Sequence, residues 1–367
     1  MTPISSLSRL ALGSICFLSL SLSSLCVVAQ APKYSNEFLA IGVGARSLGM
    51  ANAYIASTND GTSAYWNPAG LLNIKSNMQI CAMHSEYFAG LAKYDYATLA
   101  APIDKTNVMA FSLIRFGVDD ILDTTLLFDA AGNLNYDRVR SFSAADYAFI
   151  FSYARKPSFE GLDLGGNAKI IYRKVGSFAH AWGFGLDAGM HYTMKKWKFG
   201  LMARDVTSTF NAWSINTDAL KDVFATTNNE LPTSDLEITL PKALFGLSYK
   251  TPIAEKFTIA PELDLDMTFD GKRNVMISGA PISIDPHMGF EFSYSDFIFL
   301  RAGINNIQKI TDISGVRKGS AQPALGLGIK LKNICIDYAL TNLGSQGGLP
   351  YSNIFSLKID VVKHPKS

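Results

Sequence analysis

The feature that most constrains this chain is a period of two, held over long runs and repeated along almost its whole length. In "FTIAPELDLDMTFD", Phe257 to Asp270, every odd position is apolar and every even one is polar or small. Successive side chains of a β-strand point to opposite faces. One face therefore carries Phe257, Ile259, Leu263, Leu265, Met267 and Phe269, and the other Glu262, Asp264, Asp266 and Asp270. Strands in soluble sheets are typically about five or six residues long, whereas about ten, tilted by roughly 45°, cross a hydrocarbon core. This run has fourteen.

The pattern recurs. "PISIDPHMGFEFSYS" sets Ile282, Ile284, Met288, Phe290, Phe292 and Tyr294 against Asp285, His287 and Glu291. "WGFGLDAGMHYT" sets Trp182, Phe184, Leu186, Met190 and Tyr192 against Asp187, His191 and three glycines. "SNIFSLKIDVV" places Phe355, Leu357, Ile359 and Val361 opposite Ser356, Lys358 and Asp360. Counting such runs predicts about fourteen strands, starting near Asn77, Ala92, Thr106, Ala144, Gly161, Ala181, Trp197, Leu240, Phe257, Pro281, Phe297, Gln322, Ile334 and Asn353. Joints after even-numbered strands are short, as in "PIDKTN", "MKKW" and "KN"; those after odd-numbered strands are mostly longer, the longest being 117–143 and 208–239.

An even number of antiparallel strands with short turns at one end and long loops at the other is the pattern of a bacterial outer-membrane barrel. In lipid every backbone polar group needs a partner, so such a sheet has to close on itself. The expected fold class is all-β: a transmembrane antiparallel β-barrel of about fourteen strands, with apolar rows toward lipid and acidic rows toward the lumen. A secreted sandwich would explain the alternation, but not bands of Phe, Tyr and Trp on an outer face.

Composition agrees. The chain is 48% hydrophobic and 17% charged, with 15 Tyr and 23 Phe, and past the leader no window approaches eighteen consecutive apolar residues. A net charge of +2 gives no support to a nucleic-acid partner. The first residues, with Arg9 ahead of an apolar run and Val27-Val28-Ala29 at its end, read as an export signal cleaved after Ala29. Two cysteines then remain, Cys81 and Cys335, too few and too far apart for a disulfide framework.

Residues 30–76 break the alternation and read as an N-terminal segment folded inward as a plug, ahead of a barrel over 77–367. Within it, "FLAIGVGARSLGMANAYIASTNDGTSAYWNPAGL" resembles the N-terminal hallmark of the PorV/PorQ family of outer-membrane proteins, itself similar to the FadL-like fatty-acid transporters. The later pieces "GVDDILDT" and "RSFSAADYAF" are similar to that family too. Asn67, Pro68, Ala69 and Gly70 match the element that FadL-like proteins carry in an N-terminal hatch. The resemblance implies a fourteen-stranded barrel with an internal plug in the outer membrane of a Bacteroidetes-like Gram-negative bacterium. It also implies an accessory or cargo-binding role in type IX protein secretion, with secretion components or C-terminal-domain-bearing cargo as partners besides outer-membrane lipid.

Candidate site residues follow from these two readings. Asn67 can hydrogen-bond the plug to the wall while Pro68 fixes φ. Glu262, Asp264, Asp266, Asp285 and Glu291 form an interior acidic row, expected to pair with basic residues on other walls such as Lys169, Arg173, Arg204, Arg301 and Lys358. The alternative function is a FadL-like channel for hydrophobic small molecules, with Met83, Leu99 and Ile114 lining part of its lumen. No spacing matches an EF-hand or zinc site, a phosphate-binding glycine loop or a nucleophile elbow, and the five histidines form no H-E-x-x-H pattern. The chain is accordingly read as non-enzymatic, without cofactor or metal.

Overall fold

Period-two runs this long can satisfy their backbone only by pairing with each other, and the computed structural model shows how they do so. It describes residues 35–128, 132–311, 314–343 and 351–362, so the expected leader lies outside the described residues. Seventeen strand segments form one sheet in which the first pairs with the last. They make fourteen barrel strands: β1 Met78–Tyr87, β2 Ala92–Pro102, β3 Asn107–Asp123, β4 Arg140–Arg155, β5 Leu162–Val175 and β6 Ala179–Met194. Next come β7, Trp197–Arg204 resumed as Thr209–Ile215, and β8, Leu236–Thr239 resumed as Lys242–Tyr249 and Thr251–Ala254. The circle is completed by β9 Phe257–Thr268, β10 Ser283–Tyr294, β11 Ile298–Thr311, β12 Arg317–Leu331, β13 Ile334–Thr341 and β14 Ser352–Val361.

All neighbours are antiparallel, and β1 bonds both β2 and β14, so no sheet edge is left open. Outward positions carry the apolar band: Phe111, Phe151, Leu201, Leu263, Phe290, Leu327 and Phe355 are 37–56% exposed. No helix among the described residues is long and apolar enough to cross a membrane.

The two longest joints are shorter than expected. Ile121–Asp123 pairs with Arg140–Phe142, so β3 and β4 extend into the stretch read as loop 117–143. Likewise 208–239 contains the second half of β7, a helix α3 at Thr217–Thr226, and the start of β8. β7 is interrupted because six of its residues, 204–209, stand opposite three of β6, 185–187. The extra length is taken up as a bulge with left-handed backbone at Asp205 and Ser208.

Residues 35–76 run through the inside of this barrel. Helix α1, Ala45–Gly49, packs on β12, β13 and β14, while the 3₁₀ turn Pro68–Asn73 packs on β3 to β6 across the lumen. Helix α2, Ser63–Trp66, leads into that turn, which Asn67 caps by accepting the Ala69 amide, with Pro68 at the first position. The core lies between this segment and the inner faces of β1 to β5: Phe38, Val43, Tyr65 and Trp66 meet Met83, Tyr94, Tyr96, Ile114, Ile150 and Ile171. Met83 and Ile114 thus face the lumen as expected of them. Leu99 does not: it falls on the opposite parity of β2 and is 47% exposed on the outer face.

Cys81 and Cys335 stand in register with Lys358 from the two sides of β14. Two strand spacings, roughly 10 Å, separate them, beyond the about 7 Å that a disulfide tolerates, and both are free thiols.

Candidate functional site

The residues 50–57, "MANAYIAS", have almost no regular structure of their own, yet they are buried in the middle of the lumen. Buried N–H and C=O groups need partners, and here inward side chains of the wall supply them. Asp264 Oδ2 accepts the amides of Tyr54 and Ile55 at 2.6 and 2.8 Å, and Glu262 Oε1 accepts those of Ala56 and Ser57 at 2.7 and 3.1 Å. On the carbonyl side, His191 Nε2 lies 2.8 Å from the Ile55 oxygen and His287 Nδ1 3.0 Å from that of Ala51. The adjacent pair on β9 therefore does not bind arginine or lysine as expected of it. It grips a peptide backbone.

Close approach requires that the wall have no side chain where the backbone passes. A Cβ at Gly200 would lie 2.5 Å from the Ile55 oxygen, and one at Gly246 2.8 Å from the Ala56 nitrogen. A Cβ at Gly165 would lie 2.6 Å from the Ala69 nitrogen, and one at Gly303 would collide with the Met50 carbonyl. Glycines at inward parity on β5, β7, β8 and β11 thus form the groove in which the segment lies. The three glycines noted on β6 belong partly to this set, since Gly189 faces Asn67 and Pro68.

Asn67 is fully buried, and its Nδ2 donates to the carbonyls of Met190 at 3.0 Å, Ile55 at 3.3 Å and Leu201 at 3.4 Å. One side chain thus joins two walls and the segment's own middle. Ala69 and Gly70 are buried beside it, and a Cβ on Gly70 would strike the Thr58 carbonyl at 2.6 Å.

Several of the remaining interior charges form ion pairs. Glu291 binds Arg301 at 2.7 Å and Arg46 of the inner segment at 2.8 Å, and Arg301 reaches Asp337 at 2.7 Å. Lys169 sits 2.6 Å from both Asp187 and Asp205, Arg173 bridges Asp146 and Glu237, and Lys358 reaches Asp60 at 3.4 Å. Arg204 has no carboxylate partner among the described residues. It donates to the Tyr65 carbonyl at 3.1 Å and lies over the Tyr65 ring, 4.4 Å from its centroid. Asp266 and Asp285 are cross-strand neighbours beside His287 Nε2, at 4.0 and 3.7 Å. No group of three His, Cys, Asp or Glu among the described residues is arranged to hold a metal ion.

Among the described residues, spaces left around the segment include the following three. A vestibule of about 490 Å³ opens at the long-loop end, lined by Ile41, Leu48, Asn52, Tyr87, Asp285, His287 and their neighbours. A pocket of about 90 Å³ lies beside the β7 bulge, between Asn36, Leu39, Arg204, Lys242 and Asp270. At the opposite end a cavity of about 290 Å³ is lined by Ser57, Asn59, Ser248 and several lysines.

Fold and lumen together define a closed, fourteen-stranded antiparallel membrane barrel whose interior is occupied by the chain's own N-terminal segment. Among solved structures, the chain is similar to the monoaromatic hydrocarbon channel CymD, with a TM-score of 0.54 at 12% identity over 89% of this chain and 99% of that one. The Pseudomonas putida toluene transporter TodX matches with a TM-score of 0.54 at 12% identity, covering 87% and 98%. The Ralstonia pickettii toluene transporter TbuX matches with 0.53 at 10%, also covering 87% and 98%. No family model matches the sequence. No curated protein matches it either.

Proposed function

We propose that this protein is an outer-membrane channel of a Gram-negative bacterium that admits hydrophobic small molecules, with residues 35–76 as its plug. The observation that carries the reading is the apolar inner wall of β1 to β5. Met83, Tyr87, Tyr94, Ile114 and Phe116 run along one side of the lumen, and Tyr87 also borders the vestibule. Residues 38–43 meet this stripe by apolar contact and one hydrogen bond, from the Tyr94 hydroxyl to the Phe38 carbonyl at 3.0 Å, so a greasy solute entering at the long-loop end meets a surface that it can wet once they shift. The likeness in fold to hydrocarbon channels supports the same reading and favours it over the secretion role.

The test is uptake of toluene and of a long-chain fatty acid by a host lacking its own such channel. Expression should raise the rate for at least one probe, and Ile114→Asp, which puts a charge on the stripe, should abolish the gain. Rates equal to the empty host for both probes would remove the proposal.

A second reading has its own support. The remainder of the lumen is charged and tightly bonded to the segment, and "GVGARSLGM" and "STNDGTSAYWNPAGL" resemble PorV/PorQ proteins. On that reading the long-loop end receives C-terminal-domain-bearing cargo or type IX components. Proteomics of periplasm, surface and medium in a deletion strain separates the two: cargo accumulating in the periplasm supports secretion, and an unchanged distribution leaves the channel.

A further inference from the structure

The end of the barrel opposite the long loops carries more positive charge than the lumen carboxylates around it balance. Lys195 and Lys196 form the β6–β7 turn, Lys198 follows on β7, and Lys250 lies at the same level on β8, where Ser248 pairs with Lys198. All four line the cavity of about 290 Å³, together with Ser57, Asn59 and Ser248.

Among the described residues, none of the four has a carboxylate within ion-pair distance, and Lys196 is the one with a side-chain partner, Thr251 Oγ1 at 2.8 Å. Of the carboxylates near the cavity, Glu291 is held by Arg46 and Arg301 and Glu262 by the amides of Ala56 and Ser57, which leaves Asp163 on β5 as a single counter-charge within electrostatic reach of Lys198. Lys198 is the informative member, because its parity points it inward, toward the cavity, whereas Lys195 and Lys196 are exposed at the turn. Four like charges around one hollow repel each other, and a bound anion removes that repulsion.

The level in the membrane indicates which anion. Trp197 and Tyr249 are cross-strand partners directly beside these lysines, with ring centroids 4.6 Å apart and Trp197 41% exposed on the outer face. Phe257 and Tyr294 on the neighbouring strands and Phe297 in the turn after them continue the aromatic row, 37–40% exposed. Such rows sit at the headgroup layer, and lysine meets phosphate as a flexible point charge.

We propose that Lys195, Lys196, Lys198 and Lys250 form a binding site for phosphate at the short-turn mouth of the lumen, presented by the headgroup of an anionic phospholipid that reaches over the rim at the exposed turn Lys195–Lys196. The proposal is independent of what the lumen transports.

The test uses the full barrel in a zwitterionic detergent, with short-chain phosphatidylglycerol, phosphatidylcholine and inorganic phosphate as probes and native mass spectrometry as the readout. Phosphatidylglycerol should bind one to one, in preference to phosphatidylcholine, and phosphate should displace it. K198Q should weaken binding more than K195Q, and the quadruple glutamine variant should weaken it by about tenfold or more. Heat-modifiable gel migration establishes that each variant is folded, and the competition series on the unaltered protein stands even if the quadruple variant does not assemble. Phosphate binding without phosphatidylglycerol binding would overturn the lipid as the source. Equal retention of both lipids, or an unchanged affinity in a folded quadruple variant, would overturn the site.

Discussion

Two stretches of the lumen wall bury charge in opposite ways. On β5 to β7, Lys169 lies between Asp187 and Asp205, so the charges are satisfied by neighbours within the sheet. On β9, Glu262 and Asp264 are equally buried and hold no cation; each accepts two consecutive amides of residues 54–57. The first cluster is complete in an empty barrel. The second is complete only while the inner segment is in place, since a buried carboxylate without partners is costly. Buried inward carboxylates thus do different jobs, one pair holding the wall together and the other holding what the wall encloses.

The sharpest way to break that contrast is to fill the groove. In Gly200→Val with Gly246→Val, new side chains meet backbone that has no room to move, so the segment should be displaced while the barrel still assembles. Single-channel conductance in planar bilayers should rise from near closed to a large open level; an unchanged trace would mean that the segment is not held there. Next in size, Lys169→Met strands two buried aspartates and should cost about 3–5 kcal/mol in denaturant unfolding from vesicles, with conductance little altered.

Asp264→Asn should show the reverse balance. It weakens charge-assisted bonds by about 1–3 kcal/mol and should produce brief openings with a smaller change in unfolding than Lys169→Met. Asn67→Ala removes a donor shared among three carbonyls and should cost about 1–2 kcal/mol, with a modest increase in opening frequency.

The smallest effect lies outside both walls. Asp104, on the β2–β3 turn, accepts the Thr106 amide and the side chains of Asn107 and Thr106, which hold its pKa down to about 2. A depressed carboxyl contributes stability that is fully present above its unfolded value and lost as pH falls through the folded one. The difference in unfolding midpoint between the unaltered protein and Asp104→Ala should be constant above about pH 4 and close as pH approaches 2.

How far these walls were legible in the sequence follows from their physics. Alternation located most strand starts to within a residue or two, because one face of each strand meets lipid and the other does not. It failed at Arg140–Ser143, where both faces are polar or partly exposed, and at Thr209–Ile215, where the apolar residues change parity from Phe210 to Trp213 and Ile215 although the pairing continues. The inward parity of Glu262 and Asp264 was equally plain. Their partner was not, since a backbone N–H carries no residue identity. The missed signal was the glycines at inward parity, Gly200, Gly246 and Gly303 among them, each marking a place where another chain segment passes close by.

Tyr54 and Asp264 are 210 residues apart in sequence, and the seam of the barrel joins its first strand to its last. That separation sets an order of assembly. The inner segment comes first in the chain, but its grips on β9, β10 and β11 do not exist until the second half of the chain has arrived. Glycine-bounded grooves admit backbone sideways far more readily than they admit it threaded end-on through a finished ring. The segment is therefore enclosed as the ring zips up around it, and a chain truncated before β14 would lose both its closure and the lasting confinement of its contents.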